Sequence, residues 1–155
     1  MLEIFYDKHN LILQNHTKKH VIFDTKANTV ALEDFDVSHP GEYEKFGVLL
    51  EVKEYAETLF YKFLIEGKHI CIITIDKFEL KEEILSFFGD VDILIIVGTK
   101  DAVKTFENIE AKVVIPYTEG KDIFLNTLSQ HWEEVSKFKS GGEISGDVTE
   151  FINLK

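Results

Sequence analysis

The sequence predicts an α/β (α+β) fold in which two stacked β-sheets carry helices on the outer side. The first part of the chain, up to Ile75, is a run of short β-prone stretches separated by turns. Beyond Ile75, uninterrupted apolar stretches alternate with amphipathic ones. Because a strand buried on both faces needs helices packed against its sheet, this order indicates a meander followed by strand–helix units.

The meander is predicted from stretches rich in β-branched and aromatic residues, joined by polar turns. Its members are LEIFY, NLILQN, KHVIFDT, NTVAL, DFDV, FGVLLEVKEY, TLFYKFLIEG and KHICIITI. Within this run, HPGEYE at residues 39–44 is interpreted as a tight turn between two strands. Pro40 restricts φ and Gly41 supplies the backbone freedom that such a turn requires.

Three amphipathic segments predict helices, namely KFELKEEILSFFGD at 77–90, TKDAVKTFENI at 99–109 and KDIFLNTLSQHW at 121–132. The first presents its apolar residues at helical spacing, at Leu80, Ile84, Leu85 and Phe88. Gly89 is the expected end of that helix, and Thr99 is the expected cap of the second.

Two apolar runs between the helices, VDILIIVG at 91–98 and AKVVIPY at 111–117, predict strands buried on both faces. The tail at 133–154 predicts two strands joined by a glycine-rich turn. No linker, internal repeat or low-complexity stretch interrupts the sequence, so residues 1–155 are predicted to form a single domain.

Composition and charge exclude several classes of function. The net charge of −11 and the absence of arginine disfavour nucleic-acid binding, which needs a basic surface. The apolar runs are far shorter than the roughly 20 residues that cross a bilayer, so no membrane association is expected. Cys71 is the one cysteine, which excludes an intrachain disulfide and fits a cytoplasmic protein.

Four segments share motifs with one family. HPGEYEKFGVLLEV at 39–52 is similar to gPGEYEvkGv, and GDVDILIIVG at 89–98 is similar to GDVDvLlipvGG. TKDAVKTFENIEAKVVIPY at 99–117 is similar to dakeAvkvvneikPkvvIPmHy, and residues 2–25 are similar to mkItylGHSgFlIe…gktilIDP. The chain thus resembles the metallo-β-lactamase superfamily, specifically the small metal-dependent hydrolases of the ascorbate-phosphate-lactonase-like branch. The resemblance implies a truncated αββα sandwich.

The resemblance also implies a metal site, but this sequence lacks the ligand motifs. No H-x-H-x-D-H loop lies between VIFDT at 21–25 and the HPGEYE segment. Asp76, in the segment that corresponds to the GDxGH motif, is at best one position out of register, and Thr118 replaces the last ligand histidine. A hydroxyl is a poor substitute for imidazole in a zinc site. The comparison therefore predicts no catalytic residue, no cofactor and no metal-bound hydroxide.

His39 and Asp76 are the weak candidates for a metal ligand. A lone imidazole cannot hold a catalytic zinc, so His39 is interpreted as a surface residue of the turn. Asp76, together with Gly98 and Thr118, could line a vestigial pocket. The preferred explanation of Asp76 is an N-cap that opens the first helix.

The remaining histidines and the cysteine suggest no second site. His16 and His20 could form an adventitious metal site, but QNHTKKHV is interpreted as a hairpin turn. His9, His69 and His131 have no ligand-like neighbours in the sequence. Cys71 is expected to be a buried packing residue, because a Cys71–His69 dyad would need a third orienting group.

Three functions remain open, in the following order. The first is a degenerate, metal-free domain that is not catalytic and acts in assembly, with itself or another protein as partner. The second is a hydrolase of a small ester, lactone or phosphate, with zinc held by rearranged ligands such as His39, Asp76 and a histidine from a second subunit. The third is metal-free binding of a small molecule in the vestigial pocket. Self-association is expected, because loss of the covering loops would expose apolar surface.

Overall fold

The computed structural model describes residues 1–129, 133–140 and 148–155. Its elements follow the predicted order of hairpins and then strand–helix units. The strands of the described part are β1 (Leu2–Asp7), β2 (Asn10–Gln14), β3 (His20–Asp24), β4 (Thr29–Leu32), β5 (Phe35–Val37), β6 (Gly41–Lys45), β7 (Val48–Tyr55), β8 (Thr58–Ile65), β9 (Lys68–Ile73), β10 (Val91–Val97), β11 (Ala111–Tyr117), β12 (Glu134–Val135), β13 (Lys137–Ser140), β14 (Glu150–Phe151) and β15 (Asn153–Leu154). The helices are α1 (Glu82–Phe88), α2 (Ala102–Glu107) and α3 (Lys121–Thr127).

The strands form two large sheets and one small one. The first sheet has six antiparallel strands in the order β13-β1-β2-β3-β4-β5. The second has seven strands in the order β14-β11-β10-β9-β8-β7-β6. In this second sheet β9, β10, β11 and β14 are parallel, whereas β6 to β9 form an antiparallel meander. The third sheet pairs β12 with β15.

Two apolar clusters hold the layers together. The larger one fills the space between the two large sheets, with Phe23, Phe63 and Tyr117 among its fully buried side chains. The other joins the outer face of the second sheet to the helices, with Phe60 and Phe124 at its centre. Within the described residues, helices cover only the second sheet, so the sandwich is truncated to a β–β–α order of layers.

The segment HPGEYE is not the tight turn that the sequence predicted. Ser38, His39 and Pro40 carry the chain from β5 in the first sheet to β6 in the second. Gly41, with φ of 146°, then begins β6, which pairs with β7 through five residues in succession. The stretch is therefore a crossing between sheets followed by an edge strand, because continuing as a hairpin would have kept both strands in one sheet.

Two other local predictions are also wrong. The first helix begins at Glu82 and not near Lys77, and Leu85 points outward with 37% of its surface exposed. The described part of the tail forms four short strands and not the predicted two, and β13 pairs with β1 in the first sheet whereas β14 pairs with β11 in the second. The glycine-rich stretch between them lies outside the described residues, as does the predicted end of the third helix.

No helix in the described part is long and apolar enough to span a membrane.

In the hairpin turn between β7 and β8, residues other than glycine adopt a backbone conformation that favours glycine. Ala56 and Glu57 both adopt positive φ, 53° and 60°, as the central residues of a tight hairpin require. The equivalent turns at Phe46-Gly47 and Glu66-Gly67 place glycine second, which avoids the Cβ clash of the left-handed region. The turn at Ala56-Glu57 is therefore held in place by the pairing of its strands.

Replacing Glu57 by glycine is expected to raise the free energy of unfolding by about 1 kcal/mol, because the left-handed backbone no longer opposes a Cβ. The matched control, Gly67→Ala, should lower it by a similar amount. Urea denaturation followed by circular dichroism measures both. A destabilising Glu57→Gly substitution would show that the side chain contributes more than the turn geometry costs.

Candidate functional site

A cleft lies at the C-terminal ends of two neighbouring parallel strands. β10 and β11 run in parallel register from Val91↔Ala111 to Val97↔Tyr117, so the loops that follow them leave the sheet at the same edge. Those loops and the turn between β3 and β4 border an open cleft of about 590 Å³. The lining residues are Thr25, Lys26, Gly98, Thr99, Lys100, Thr118, Glu119, Gly120 and Ile123. This edge of an open α/β sheet is the usual place for a ligand site.

The turn between β3 and β4 is short and tightly bonded. Asp24 and Thr29 pair directly, so only residues 25–28 connect the two strands. The Asp24 carboxylate accepts hydrogen bonds from the amides of Lys26 (2.9 Å) and Ala27 (3.0 Å). The hydrogen bond from the Ala27 amide is the main reason why the pKa of Asp24 lies below its ordinary value. The resemblance places the metal-binding loop here, and four residues cannot contain it.

A buried tyrosine ties this turn to the parallel strands. The Tyr117 hydroxyl, at the end of β11, donates a hydrogen bond to Asn28 Oδ1 at 3.1 Å. The Tyr117 ring is fully buried and meets the Phe23 ring edge-on at 5.0 Å between centroids. Burial raises the pKa of Tyr117 far above that of a free phenol, so the hydroxyl stays protonated and acts as a donor.

The two loops that follow β10 and β11 are in direct contact. The Gly98 amide donates to the Tyr117 carbonyl at 2.7 Å. A Cβ added to Gly120 would lie 1.9 Å from the Gly98 carbonyl oxygen, so only glycine fits there. Thr118, between these contacts, has φ of 81°, which is unusual for a β-branched residue. Strained residues of this kind are found at ligand sites when the surrounding structure holds them in place.

Asp76 does not cap a helix, so the preferred explanation from the sequence is wrong. α1 begins six residues later, at Glu82, and its N-cap position is Lys81. The Asp76 carboxylate instead accepts a hydrogen bond from the Thr99 hydroxyl at 2.9 Å. Thr99 Oγ1 also accepts from the amide of Ala102, the first residue of α2, at 3.2 Å, although the N-cap position of that helix is Asp101 and not the predicted Thr99. Of the three residues assigned to a vestigial pocket, Gly98 and Thr118 line the cleft and Asp76 contacts it through Thr99.

The histidines of the described part lie apart and have separate neighbours. His39 is exposed on the crossing between the sheets, where Tyr43 Oη donates to its carbonyl oxygen. His16 Nδ1 lies 3.3 Å from Glu66, whereas His20 Nε2 lies 2.8 Å from Gln14. His9 contacts Asp24, and His131 falls outside the described residues. Within those residues, no three His, Cys, Asp or Glu side chains are grouped to hold a metal ion.

Cys71 is a packing residue beneath the helices. Its thiol is fully buried in the apolar cluster of the outer layer, and burial raises its pKa to about 12. A thiol with this pKa forms almost no thiolate at neutral pH and is therefore not a nucleophile. His69 lies two residues earlier on β9, where its backbone amide donates to Asp92 at 2.8 Å. Its Nδ1 has no hydrogen-bond partner among the described residues, so none of them orients a dyad through that atom.

Sequence reasoning missed Lys26, Lys100 and Ile123, which line the cleft beside the expected residues. The two lysines belong to no sequence motif, and Ile123 looks like any other apolar residue of an amphipathic helix. The signal that could have found them is positional. Lys26 follows β3, Lys100 follows β10, and Ile123 lies in the helix that follows β11, so each is close in sequence to the end of a predicted strand.

The fold is that of the metallo-β-lactamase superfamily. The chain is similar to the crystal structure of a "putative Zn-dependent hydrolase of the metallo-beta-lactamase superfamily" from Thermotoga maritima, with a TM-score of 0.74. The match covers 99% of each chain at 18% sequence identity, a level that shows the fold alone. No protein-family model matches the chain, and no curated protein matches it significantly. The resemblance drawn from the sequence is thus confirmed for the fold.

The hydrogen bond between Tyr117 and Asn28 is expected to stabilise the turn between β3 and β4. Asn28→Gly removes the acceptor while tolerating the positive φ of 57°, so it isolates the cost of an unpaired buried hydroxyl, about 1–2 kcal/mol. Asn28→Ala adds backbone strain and should cost more. Tyr117→Phe should cost less, because water can satisfy the exposed Asn28 side chain. Urea unfolding measures the order, and equal values for all three variants would contradict the proposed bond.

Proposed function

We propose that this chain is a metal-free, non-catalytic domain with the metallo-β-lactamase fold, and that it acts by associating with itself or another protein. The observation that carries this proposal is the four-residue turn at 25–28, bonded to Tyr117 at the place where the resemblance implies a metal-binding loop. Thr118 stands where the resemblance implies the last histidine. The Thr118 hydroxyl, together with the Asp76 carboxylate that already accepts a hydrogen bond, does not supply the three or four ligands that zinc requires.

The hydrolase with rearranged ligands is the competing function. It would need His39 and Asp76 to converge with a histidine of a second subunit. One oxygen of Asp76 already accepts the Thr99 hydroxyl, and His39 lies exposed on the crossing between sheets. The exposed position of His39 favours the non-catalytic proposal, because within the described residues it belongs to no group of three His, Cys, Asp or Glu side chains that could hold a metal ion.

Zinc content is the test that separates these two functions. The chain is incubated with excess ZnCl2, desalted, and analysed by inductively coupled plasma mass spectrometry. We expect far less than one zinc per chain, and no difference between the wild type and a His39→Ala/Asp76→Asn variant. Stoichiometric zinc that this double variant loses, together with ester or phosphate hydrolysis abolished by EDTA, would contradict the proposal.

We assign the association to the side of the sandwich where the edge strands β5 and β6 lie. The edge strands β5 and β6 lie side by side there, and Phe35 and Phe46 expose 45% and 42% of their surface. Lys45 Nζ lies 5.5 Å and 5.2 Å from the centroids of these two rings. Aromatic side chains are enriched at protein interfaces. A single buried cysteine fits action in a reducing compartment such as the cytoplasm.

Self-association is tested by size-exclusion chromatography with multi-angle light scattering over a range of concentrations. We expect a concentration-dependent oligomer that Phe35→Asp or Phe46→Asp dissociates, because a charge on either ring site would be desolvated at the interface. The matched control is Leu85→Asp, an exposed apolar position on α1 away from this side. A strict monomer, or a control variant that dissociates equally, would contradict this assignment.

A further inference from the structure

We propose that β6 binds an extended basic segment of a partner protein, which joins the second sheet as an additional antiparallel strand. The segment has lysine or arginine at two alternate positions and an apolar residue between them. It is a partner for the association proposed above, on which the inference therefore rests. Three features of the described residues support it, namely the unpaired backbone of β6, two exposed glutamates and an exposed aromatic ring beside the strand.

β6 is the last strand at one end of the second sheet. It pairs with β7 from Gly41↔Val52 to Lys45↔Val48, and among the described strands none pairs with its other side. Its five residues are exposed or half-buried. The unpaired side of an edge strand presents backbone N–H and C=O groups, which an extended segment of another protein can bind by forming one more strand.

The hairpin between β6 and β7 determines which backbone groups point outward. Only residues 46–47 connect the strands, and both have positive φ, 55° and 79°, as a two-residue hairpin turn requires. Lys45 and Val48, which flank such a turn, form a hydrogen-bonded pair, and these pairs alternate along an antiparallel ladder. The backbone N–H and C=O groups of Glu42 and Glu44 therefore point away from β7, toward the unpaired side.

The side chains of the same two residues make this edge acidic. Glu42 and Glu44 are both exposed, and they lie on one face of β6 because residues two apart on a strand share a face. Glu42 also lies directly opposite Glu51 of β7, which adds a third carboxylate to that face. Opposite charges on directly paired residues stabilise two strands. A partner strand is therefore favoured when it has lysine or arginine opposite each glutamate of β6.

The acidic edge disfavours a second copy of this chain as the added strand. Antiparallel pairing of β6 with another β6 would bring Glu42 and Glu44 of one copy opposite the same glutamates of the other. Like charges directly opposite each other destabilise a strand pair, and charged side chains commonly protect edge strands from such pairing. The self-association proposed above uses Phe35 and Phe46, so it does not require β6 to pair with its copy.

Phe35 determines the residue that fits between the two basic ones. In the added strand this residue lies opposite Tyr43, whose half-buried side chain packs against the apolar cluster between the sheets. The rings of Tyr43 and Phe35 are 6.0 Å apart between centroids, and Phe35 exposes 45% of its surface. An apolar side chain at this position would cover part of the Phe35 ring and remove it from water. The expected partner sequence is therefore basic–apolar–basic.

Two-dimensional ¹H–¹⁵N NMR of the full chain tests the inference with two end-capped heptapeptides. One alternates lysine and valine, and the other alternates glutamate and valine. We expect the lysine peptide, at up to about 1 mM, to shift the amide signals of Glu42 and Glu44 and to slow their exchange with water. The glutamate peptide should do neither. Equal effects of the two peptides, or no effect of either, would overturn the proposal.

Methylation of the peptide backbone separates strand addition from simple attraction between charges. In the antiparallel arrangement, the lysines opposite Glu42 and Glu44 direct their backbone N–H groups toward β6, and the valines direct theirs away. A peptide methylated at the backbone nitrogen of each lysine should lose binding, whereas the peptide methylated at each valine should retain it. Equal affinity for these two peptides would overturn the proposal.

Variants assign the binding to the two glutamates of β6. Glu42→Gln and Glu44→Gln should each weaken binding of the lysine peptide about two- to five-fold, and the double variant more. The matched control is Glu107→Gln/Glu110→Gln, which changes the net charge equally at two exposed positions beside β11, four strands away from β6. This control should leave the affinity unchanged. Full affinity in Glu42→Gln/Glu44→Gln would overturn the proposal.

Light scattering of the same samples distinguishes this inference from the proposed self-association. A strict monomer that binds the lysine peptide would support strand addition and contradict self-association alone. A concentration-dependent oligomer that binds neither peptide, even in the Phe35→Asp variant that dissociates it, would overturn strand addition alone.

Discussion

The short turn between β3 and β4 is the constraint on which both the lack of room for a metal-binding loop and the wall of the cleft depend. Four residues connect two strands that pair from Asp24↔Thr29 onward, and Tyr117 bonds the turn to the end of β11. With so few residues, the connection cannot carry a loop of ligands over the edge of the parallel strands. The same bond fixes one wall of the cleft. The proposed loss of a metal site and the rigid wall of the cleft therefore have one structural cause.

The fold survives this change because its core lies elsewhere. The two apolar clusters, one between the sheets and one under the helices, contain residues from nearly every element and none of the polar side chains of the cleft. Metal sites can add to folding stability, but only when the fold depends on their ligands. Here hydrophobic burial fills both layers of the architecture that the chain shares with a putative Zn-dependent hydrolase at a TM-score of 0.74.

Much of the fold could be predicted from the sequence, and the failures have identifiable causes. Periodicity identified the meander and the buried strands β10 and β11, because side-chain alternation and apolar runs are local signals. The role of Gly41 was misassigned, since a glycine with positive φ can begin an edge strand as well as form a turn. The pairing of β13 and β14 with different sheets is a long-range choice that no local pattern encodes.

The candidate site was only partly predictable for a related reason. Gly98 and Thr118 could be placed because both lie in segments that resemble motifs of the family, and both line the cleft. Asp76 could not be assigned, because whether its carboxylate meets a helix start or the Thr99 hydroxyl depends on tertiary packing. Lys26 and Lys100 line the same cleft because three loops from distant parts of the chain meet there, which the order of the sequence does not show.

The most direct test of the account is a crystal structure of the protein soaked in zinc, with anomalous diffraction recorded on both sides of the zinc absorption edge. Because the turn between β3 and β4 is short and bonded to β11, we expect no zinc peak within bonding distance of Asp76 or Thr118. We also expect the Tyr117 hydroxyl to remain hydrogen-bonded to Asn28. A zinc peak at the cleft coordinated by three or more protein atoms, with the turn displaced, would contradict it.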